Sequence, residues 1–200
     1  MERHPKAADT RQRLISAAST LMRGTGLSGA GINEIVRESG APKGSVYHFF
    51  PGGKQQIVAA ALAEYAQTVV DFIERTLAQR RSPRAKVRAL FEAFAKRVEH
   101  GDFRYSCAAG TVCLDLDAGS EELRRAVAGT LNRYVEAIAT HFPCEDARRS
   151  QSFAGLLLSA IEGAYIRSRA DRTSRSFREA GIWLADLAAR EFPDRGPKAS

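Results

Sequence analysis

The sequence predicts an all-α fold, and three observations carry that expectation. Apolar residues recur at three- and four-residue spacing along most of the chain, as one buried face of a helix requires. Clusters of Gly, Pro and Ser interrupt the pattern where helix ends are needed. Strict alternation of apolar and polar residues, the mark of a half-buried strand, is nearly absent.

Taken in order, residues 1–8 read as a loose arm. Asp9 or Thr10 then caps a helix running to about Arg23, with Leu14, Ile15, Ala18, Leu21 and Met22 inward. "GTGLSG" (24–29) breaks it. Two short helices follow, Ile32 to about Glu38 and Lys43 to Phe50, separated by "SGAP" and closed by "PGG" at 51–53. A long helix from about Lys54 to Gln79 places Ile57, Ala61, Tyr65, Val69, Phe72 and Leu77 inward. Pro83 restarts the chain, and Val87, Leu90, Phe91, Phe94 and Val98 mark the next helix, which stops at "HGD". "YSCAAGTVCLDL" (105–116) suits a helix or a buried strand by periodicity, and its helical neighbours favour helix. Ser120, followed by Glu121 and Glu122, opens a helix reaching about His141, before Pro143. Two last helices span about 145–170 and 174–191, and the tail "PDRGPKAS" reads as frayed.

The chain has 200 residues, enough for one compact helical protein or two small domains. Its formal net charge is +7 and its sequence pI about 9.7. Residues 1–56 hold 8 Lys and Arg against 4 Asp and Glu, so more than half the excess lies in just over a quarter of the chain. That asymmetry fits an anionic partner for the N-terminal part. Three cysteines (Cys107, Cys113, Cys144) make no disulfide framework and no metal knuckle. The charged start "MERHPKAADTRQR" is no signal peptide, and no apolar run approaches the roughly 18 residues of a membrane span. A cytoplasmic protein without a membrane partner is expected. His4, His48, His100 and His141 lack spaced acid or nucleophile partners, and no Gly-rich phosphate loop appears. No enzyme, metal or cofactor is therefore expected.

Two short helices joined by a Gly-containing turn predict a helix-turn-helix. Gly40 stands where a tight turn favours a residue without Cβ, and Pro42 suits the first turn of the following helix. Ile35, Val36, Ala41, Val46 and Phe49 would close a small core on Leu14, Ala18 and Leu21. Lys43, Gly44, Ser45, Tyr47 and His48 stay outside that core, and Lys54 adds a cation beyond it. Lys, Ser, Tyr and His all donate to phosphate oxygens, and Gly lets a backbone approach closely.

"SGAPKGSVYHFFPGGK" (39–54), within a wider match from about Thr10 to Ala63, resembles the DNA-binding segment of TetR-family transcriptional regulators. "GINEI" and "PGGK" resemble the LmrA/YxaF-like branch. The resemblance implies a DNA-binding domain over 1–53 and a ligand-binding and dimerisation domain over 54–200. It implies a homodimer on a palindromic double-stranded operator, released by a small-molecule effector, with repression as the usual outcome. Carried over by position, Lys43, Gly44, Ser45, Tyr47 and His48 lie on the recognition helix. Tyr47, His48 and Lys54 act mainly on phosphate, Asn33 and Arg37 reach backbone or a base edge, and Lys43 and Ser45 read bases. Ala30 departs from the Thr common in relatives, which removes a hydroxyl cap and a phosphate contact. Phe49 replaces a common His or Tyr and reads as core.

In the C-terminal part, "YSCAAG" lacks the branch's usual Pro after the Cys. The last two helices resemble those that pair across the family's two-fold axis, where Gly163 and Ala164 permit close approach. The resemblance implies an effector pocket with Phe94, Phe103, Cys107, Val112, Tyr134, Phe153, Tyr165 and Trp183 as candidate lining, Trp183 suiting the dimer interface equally. Asp115, Asp117 and Glu162 come nearest to a counter-charge for a cationic ligand. Cys107 and Cys113, on one intact helix, would be separated by about 9 Å of rise, too far for a disulfide, and read as buried free thiols. Two other functions compete: an activator of the same fold, and a small-molecule sensor whose head has lost operator recognition, which Ala30 favours.

Overall fold

The computed structural model describes residues 5–117 and 119–193. Among them the regular structure is helical throughout: α1 Pro5–Gly29, α2 Ile32–Ser39, α3 Lys43–Phe49, α4 Gly53–Ala78, α5 Pro83–His100, α6 Ala108–Leu114, α7 Glu121–Ala139, α8 Ala147–Asp171 and α9 Arg175–Glu191. The all-α expectation holds, and the strand alternative for 105–116 is excluded. The expected frayed tail lies mostly outside the described residues.

The first helix is longer than expected. It starts at Pro5 rather than at a cap on Asp9 or Thr10, and it passes through Gly24 and Thr25. Pro is pre-organised for a first turn, and the Thr25 hydroxyl donates to the Leu21 carbonyl at 2.9 Å, as a helical residue's can. Only Gly26 leaves the helix, at φ 72°. α6 is shorter than expected, because Cys107 is extended as its N-cap and Asp115 ends it as its C-cap.

The chain forms two compact units, residues 1–67 with 106–131 and residues 68–105 with 132–200. This division does not follow a boundary at 53/54, because α6 and the first part of α7 pack with the N-terminal helices.

The first unit is built on α1, α2 and α3. Leu14, Ala18 and Met22 from α1 meet Ile35, Ala41, Val46 and Phe50, all buried. Phe50, overlooked in the sequence, is the deeply buried aromatic of the pair, while Phe49 is partly buried against the same core. Gly40 ends α2 at φ 62°, the left-handed conformation its turn requires. Arg13 Nη1 donates to the Ser39 carbonyl at 2.9 Å and ties α1 to that turn. In the PGG turn, Gln56 Oε1 accepts the Gly52 N–H at 2.8 Å. α6 joins α1 by polar contacts as well as packing. Thr111 Oγ1 donates to the Met22 carbonyl at 2.8 Å, and Ser106 N–H donates to the Arg23 carbonyl at 2.9 Å.

The second unit centres on α5, α8 and α9. Ser82 caps α5 by accepting the Ala85 N–H at 3.2 Å, and Asp146 caps α8 by accepting the Arg148 N–H at 2.9 Å. Phe72, Phe94, Tyr165 and Phe177 form one aromatic cluster, with edge-to-face rings around Phe94 and Tyr165. Phe142, Phe153 and Phe192 form a second. α5 and α9 approach closely at Gly181, where a Cβ would lie 2.7 Å from Phe91 Cβ.

Candidate nucleic-acid interface

α3 has seven residues, and its faces divide cleanly. Val46 is buried, whereas Lys43, Gly44, Tyr47 and His48 are exposed and Ser45 is half-buried. The core contacts of Val46 and the flanking Ala41 and Phe50 fix the roll of the helix, so the other positions must face outward. Tyr47 is 52% exposed, too much for a core tyrosine. A Cβ at Gly44 would meet nothing within 4 Å, so an approaching backbone meets open space there. His48 stacks edge-on against Phe49 with centroids 4.7 Å apart, which orients the ring. Lys54 lies half-buried in the first turn of α4, and Asn33 and Arg37 are exposed on α2.

The polar ends of these residues are not engaged by side chains of the described residues. Among the described residues, Asn33, Arg37, Lys43 and Lys54 make no side-chain ion pair or hydrogen bond. This contrasts with Arg13, which is held by Asp9 at 3.2 Å. Seven of the eight residues singled out from the sequence thus present unengaged polar groups or, at Gly44, bare backbone; His48 adds its ring contact to Phe49.

Ala30 is fully buried, and α2 begins at Gly31 without a side-chain cap. The hydroxyl missing at position 30 is not replaced at that helix start. The sequence also concealed a contact beside it. Asp115, the C-cap of α6, accepts the Ser28 N–H through Oδ2 at 2.8 Å. Ser28 N–H therefore faces Asp115 and is not available to phosphate. No local signal could have found this pair, because its partners are 87 residues apart.

The eight candidate pocket residues divide between the two units. Val112 is core of the first unit, and Cys107 is the half-buried N-cap of α6. Phe94 and Tyr165 belong to the first aromatic cluster of the second unit and Phe153 to the other, while Tyr134 is buried and Phe103 half-buried. Trp183 is 77% exposed on α9 within its own chain, which suits the interface alternative. It shares that outward character with Leu156 and Ile166 on α8. Gly163 lies on the same exposed row of α8, with nothing within 4 Å of a Cβ position, whereas Ala164 is buried.

One expectation changes. Cys113 is exposed and Cys107 half-buried, so neither is a fully buried thiol. Asp115 accepts the Ser28 N–H, and Asp117 accepts the Ser120 hydroxyl at 2.6 Å, which holds its carboxyl below the usual range.

A protein whose N-terminal helices present such a face belongs to the helix-turn-helix DNA binders, and comparison places it further. The model for bacterial regulatory proteins of the tetR family matches residues 14–61, and the model for the LmrA/YxaF-like regulator C-terminal domain matches residues 83–182. The chain belongs to the TetR family of transcriptional regulators, in its LmrA/YxaF-like branch. It is 27% identical over 197 residues to the HTH-type transcriptional regulator Rv0196 of Mycobacterium tuberculosis, covering 92% of this chain and 97% of that one. It is 26% identical over 185 residues to the HTH-type transcriptional regulator LmrA of Bacillus subtilis, covering 91% and 98%. Among solved structures, regulatory protein TetR from Rhodobacter sphaeroides has the same fold, with a TM-score of 0.76, 21% identity and coverage of 90% and 97%. These relatives are regulators of transcription and not enzymes. Among the described residues, no helix is long and apolar enough to cross a membrane.

Proposed function

We propose that the protein is a homodimeric repressor that binds a palindromic operator and is released by a small-molecule effector. The observation that carries this reading is the outward row of α3, where Lys43, Tyr47 and His48 are exposed beside an open Gly44. Tyr47, His48 and Lys54 hold phosphates, and Lys43 with Ser45 faces base edges in the major groove. Asn33 and Arg37 add contacts from α2. Dimerisation uses the exposed apolar row of Leu156 and Ile166 on α8 with Trp183 on α9, since an isologous interface repeats one patch on both subunits. The two heads then reach half-sites about 34–36 Å apart, or a multiple of that spacing.

Release requires an effector that binds one dimer conformation more tightly than the other. The aromatic interior around Phe94 and Tyr165 supplies an apolar environment for it. Two covalent routes carry a change to the head. α4 runs from the first compact unit into the second, and residues 101–107 lead from α5 to α6. α6 is hydrogen-bonded to α1, so its displacement bears on the head directly.

One observation favours a second reading, a sensor with weakened operator recognition. α2 has no side-chain cap, and buried Ala30 offers phosphate nothing. Selection of bound sequences from a random DNA pool at near-physiological salt separates the two. An enriched palindrome is the expected result. Absence of enrichment, with candidate effectors present or absent and the protein folded and dimeric, would overturn the repressor reading.

A further inference from the structure

The second unit carries an open trough on α4, α5 and α9, bordered at one end by Phe72 of the first aromatic cluster. Its larger part, about 560 Å³, lies along α5 and α9 and is lined by Arg80, Ala85, Arg88, Ala89, Gly181 and Ile182, among others. A second cavity of about 460 Å³ lies along α4 and α5 and includes Phe72, Arg75 and Lys96. The two share Arg80, Ala89 and Glu92, so they meet in one depression.

The floor is empty for a sequence reason. Ala85 and Ala89 stand four residues apart on α5, and Gly181 faces them from α9. Gly181 brings the helices together over Phe91, and none of these three residues has a side chain long enough to fill the space above. Ile182 borders it at 48% exposure, so an apolar wall stands open to solvent.

The rim is basic and its charge is not neutralised. The acid lining both cavities, Glu92, is engaged by Arg178, through Nε at 2.9 Å and Nη2 at 3.3 Å. Arg178 is also paired with Glu99 at 2.9 Å, so two carboxylates satisfy that guanidinium. Arg84 is held by Asp186 at 2.7 Å. Arg80 differs, reaching only the neighbouring Gln79 carbonyl at 3.3 Å. Arg88 and Lys96 have no acidic partner among the described residues. Arg80, Arg88 and Lys96 are therefore exposed cations around an apolar floor, none of them in an ion pair among the described residues.

We propose that this trough binds an amphipathic organic anion, with its apolar body on Ala85, Ala89 and Ile182 and its negative groups on Arg80, Arg88 and Lys96. Guanidinium groups hold carboxylate, sulfonate or phosphate oxygens in pairs, and a combined depression of this size suits a ligand of ordinary dimensions. Simple solvation of surface arginines would not need an apolar floor beneath them. The inference is independent of operator recognition, and its test reads binding alone.

The probe is bis-ANS, an apolar dianion whose fluorescence rises on transfer from water, titrated into the full chain at low salt. Saturable binding that weakens as salt is raised is expected. Arg80→Gln with Arg88→Gln should weaken it roughly tenfold, and Ala89→Glu should abolish it by placing an acid on the floor. Both arginines are exposed, so the double variant keeps its fold, which its thermal melt checks. Unchanged affinity in the double variant and in Ala89→Glu would place the dye on another apolar face and overturn the proposal. Absence of any saturable, salt-sensitive binding in the unaltered protein would overturn it equally.

Discussion

Asp115 and Ser28 are joined across 87 residues: Oδ2 of the aspartate, at the C-terminus of α6, accepts the backbone N–H of the serine at 2.8 Å. The contact sits where α1 turns toward α2. Gly26, two residues before Ser28, has φ 72°, and a Cβ there would lie 2.5 Å from the same carboxylate oxygen. One carboxylate thus both satisfies a backbone donor and requires a bare backbone beside it.

Gly26→Ala should destabilise the protein by about 1–3 kcal/mol, through its left-handed backbone and the steric conflict. Asp115→Ala should cost about 1 kcal/mol through the lost charge-assisted hydrogen bond. The double variant should be less destabilised than the sum, because removing the carboxylate relieves the conflict. Denaturant unfolding of the four proteins checks this, and strict additivity would dissociate the two residues.

At the operator, Lys54→Ala should weaken binding to all sequences and lower the salt slope by about 1. Tyr47→Phe should weaken binding uniformly by roughly 1 kcal/mol, through one lost hydroxyl donor. Lys43→Ala should instead relax preference at one base position, at a cost of about 1–3 kcal/mol for the favoured site. Titrations across salt on the selected operator and its single-base variants distinguish the roles. An unchanged slope for Lys54→Ala removes it from the phosphate contacts.

For assembly, Trp183→Arg should shift the protein toward monomer in sedimentation. Trp183 is 77% exposed within its chain, so the change leaves the monomer's packing intact while placing two charges at the proposed two-fold interface. A dimer of unaltered affinity would place the interface elsewhere.

In acid, Glu99 should contribute to unfolding. The Ser174 hydroxyl, and then Arg178, hold its carboxyl below the usual range. A depressed folded-state value means that its stabilisation is present above the ordinary carboxylate range and is lost as pH falls through the depressed value. Glu99→Gln should therefore flatten the fall in stability below about pH 5, with little change in the slope near neutrality. Denaturant midpoints across that range check it, and an unaltered acid limb would remove Glu99 from the effect.

Much of the head was legible because its signals are local. The turn at Gly40, the buried Val46 and the exposed Tyr47 all follow from spacing within sixteen residues, 39–54. Helix starts were less legible where propensity competed with capping. Pro5 opened α1 ahead of Asp9, and Phe50 took the buried position beside the half-buried Phe49. Candidate pocket residues were least legible, since an apolar residue looks the same in a core, a pocket or an interface. Val112, Phe153 and Trp183 fell into three different surroundings.

The sequence by itself determined the helical class, the helix-turn-helix and the residues that face outward on it, because each depends on periodicity and turn chemistry within a few residues. Only the tertiary structure decided that α6 is bound to α1 through Asp115 and Thr111, that Trp183 faces outward, and that Gly181 and two alanines leave a basic trough open. Those arrangements depend on which distant surfaces pack together, and chain-local periodicity carries no record of a partner dozens of residues away.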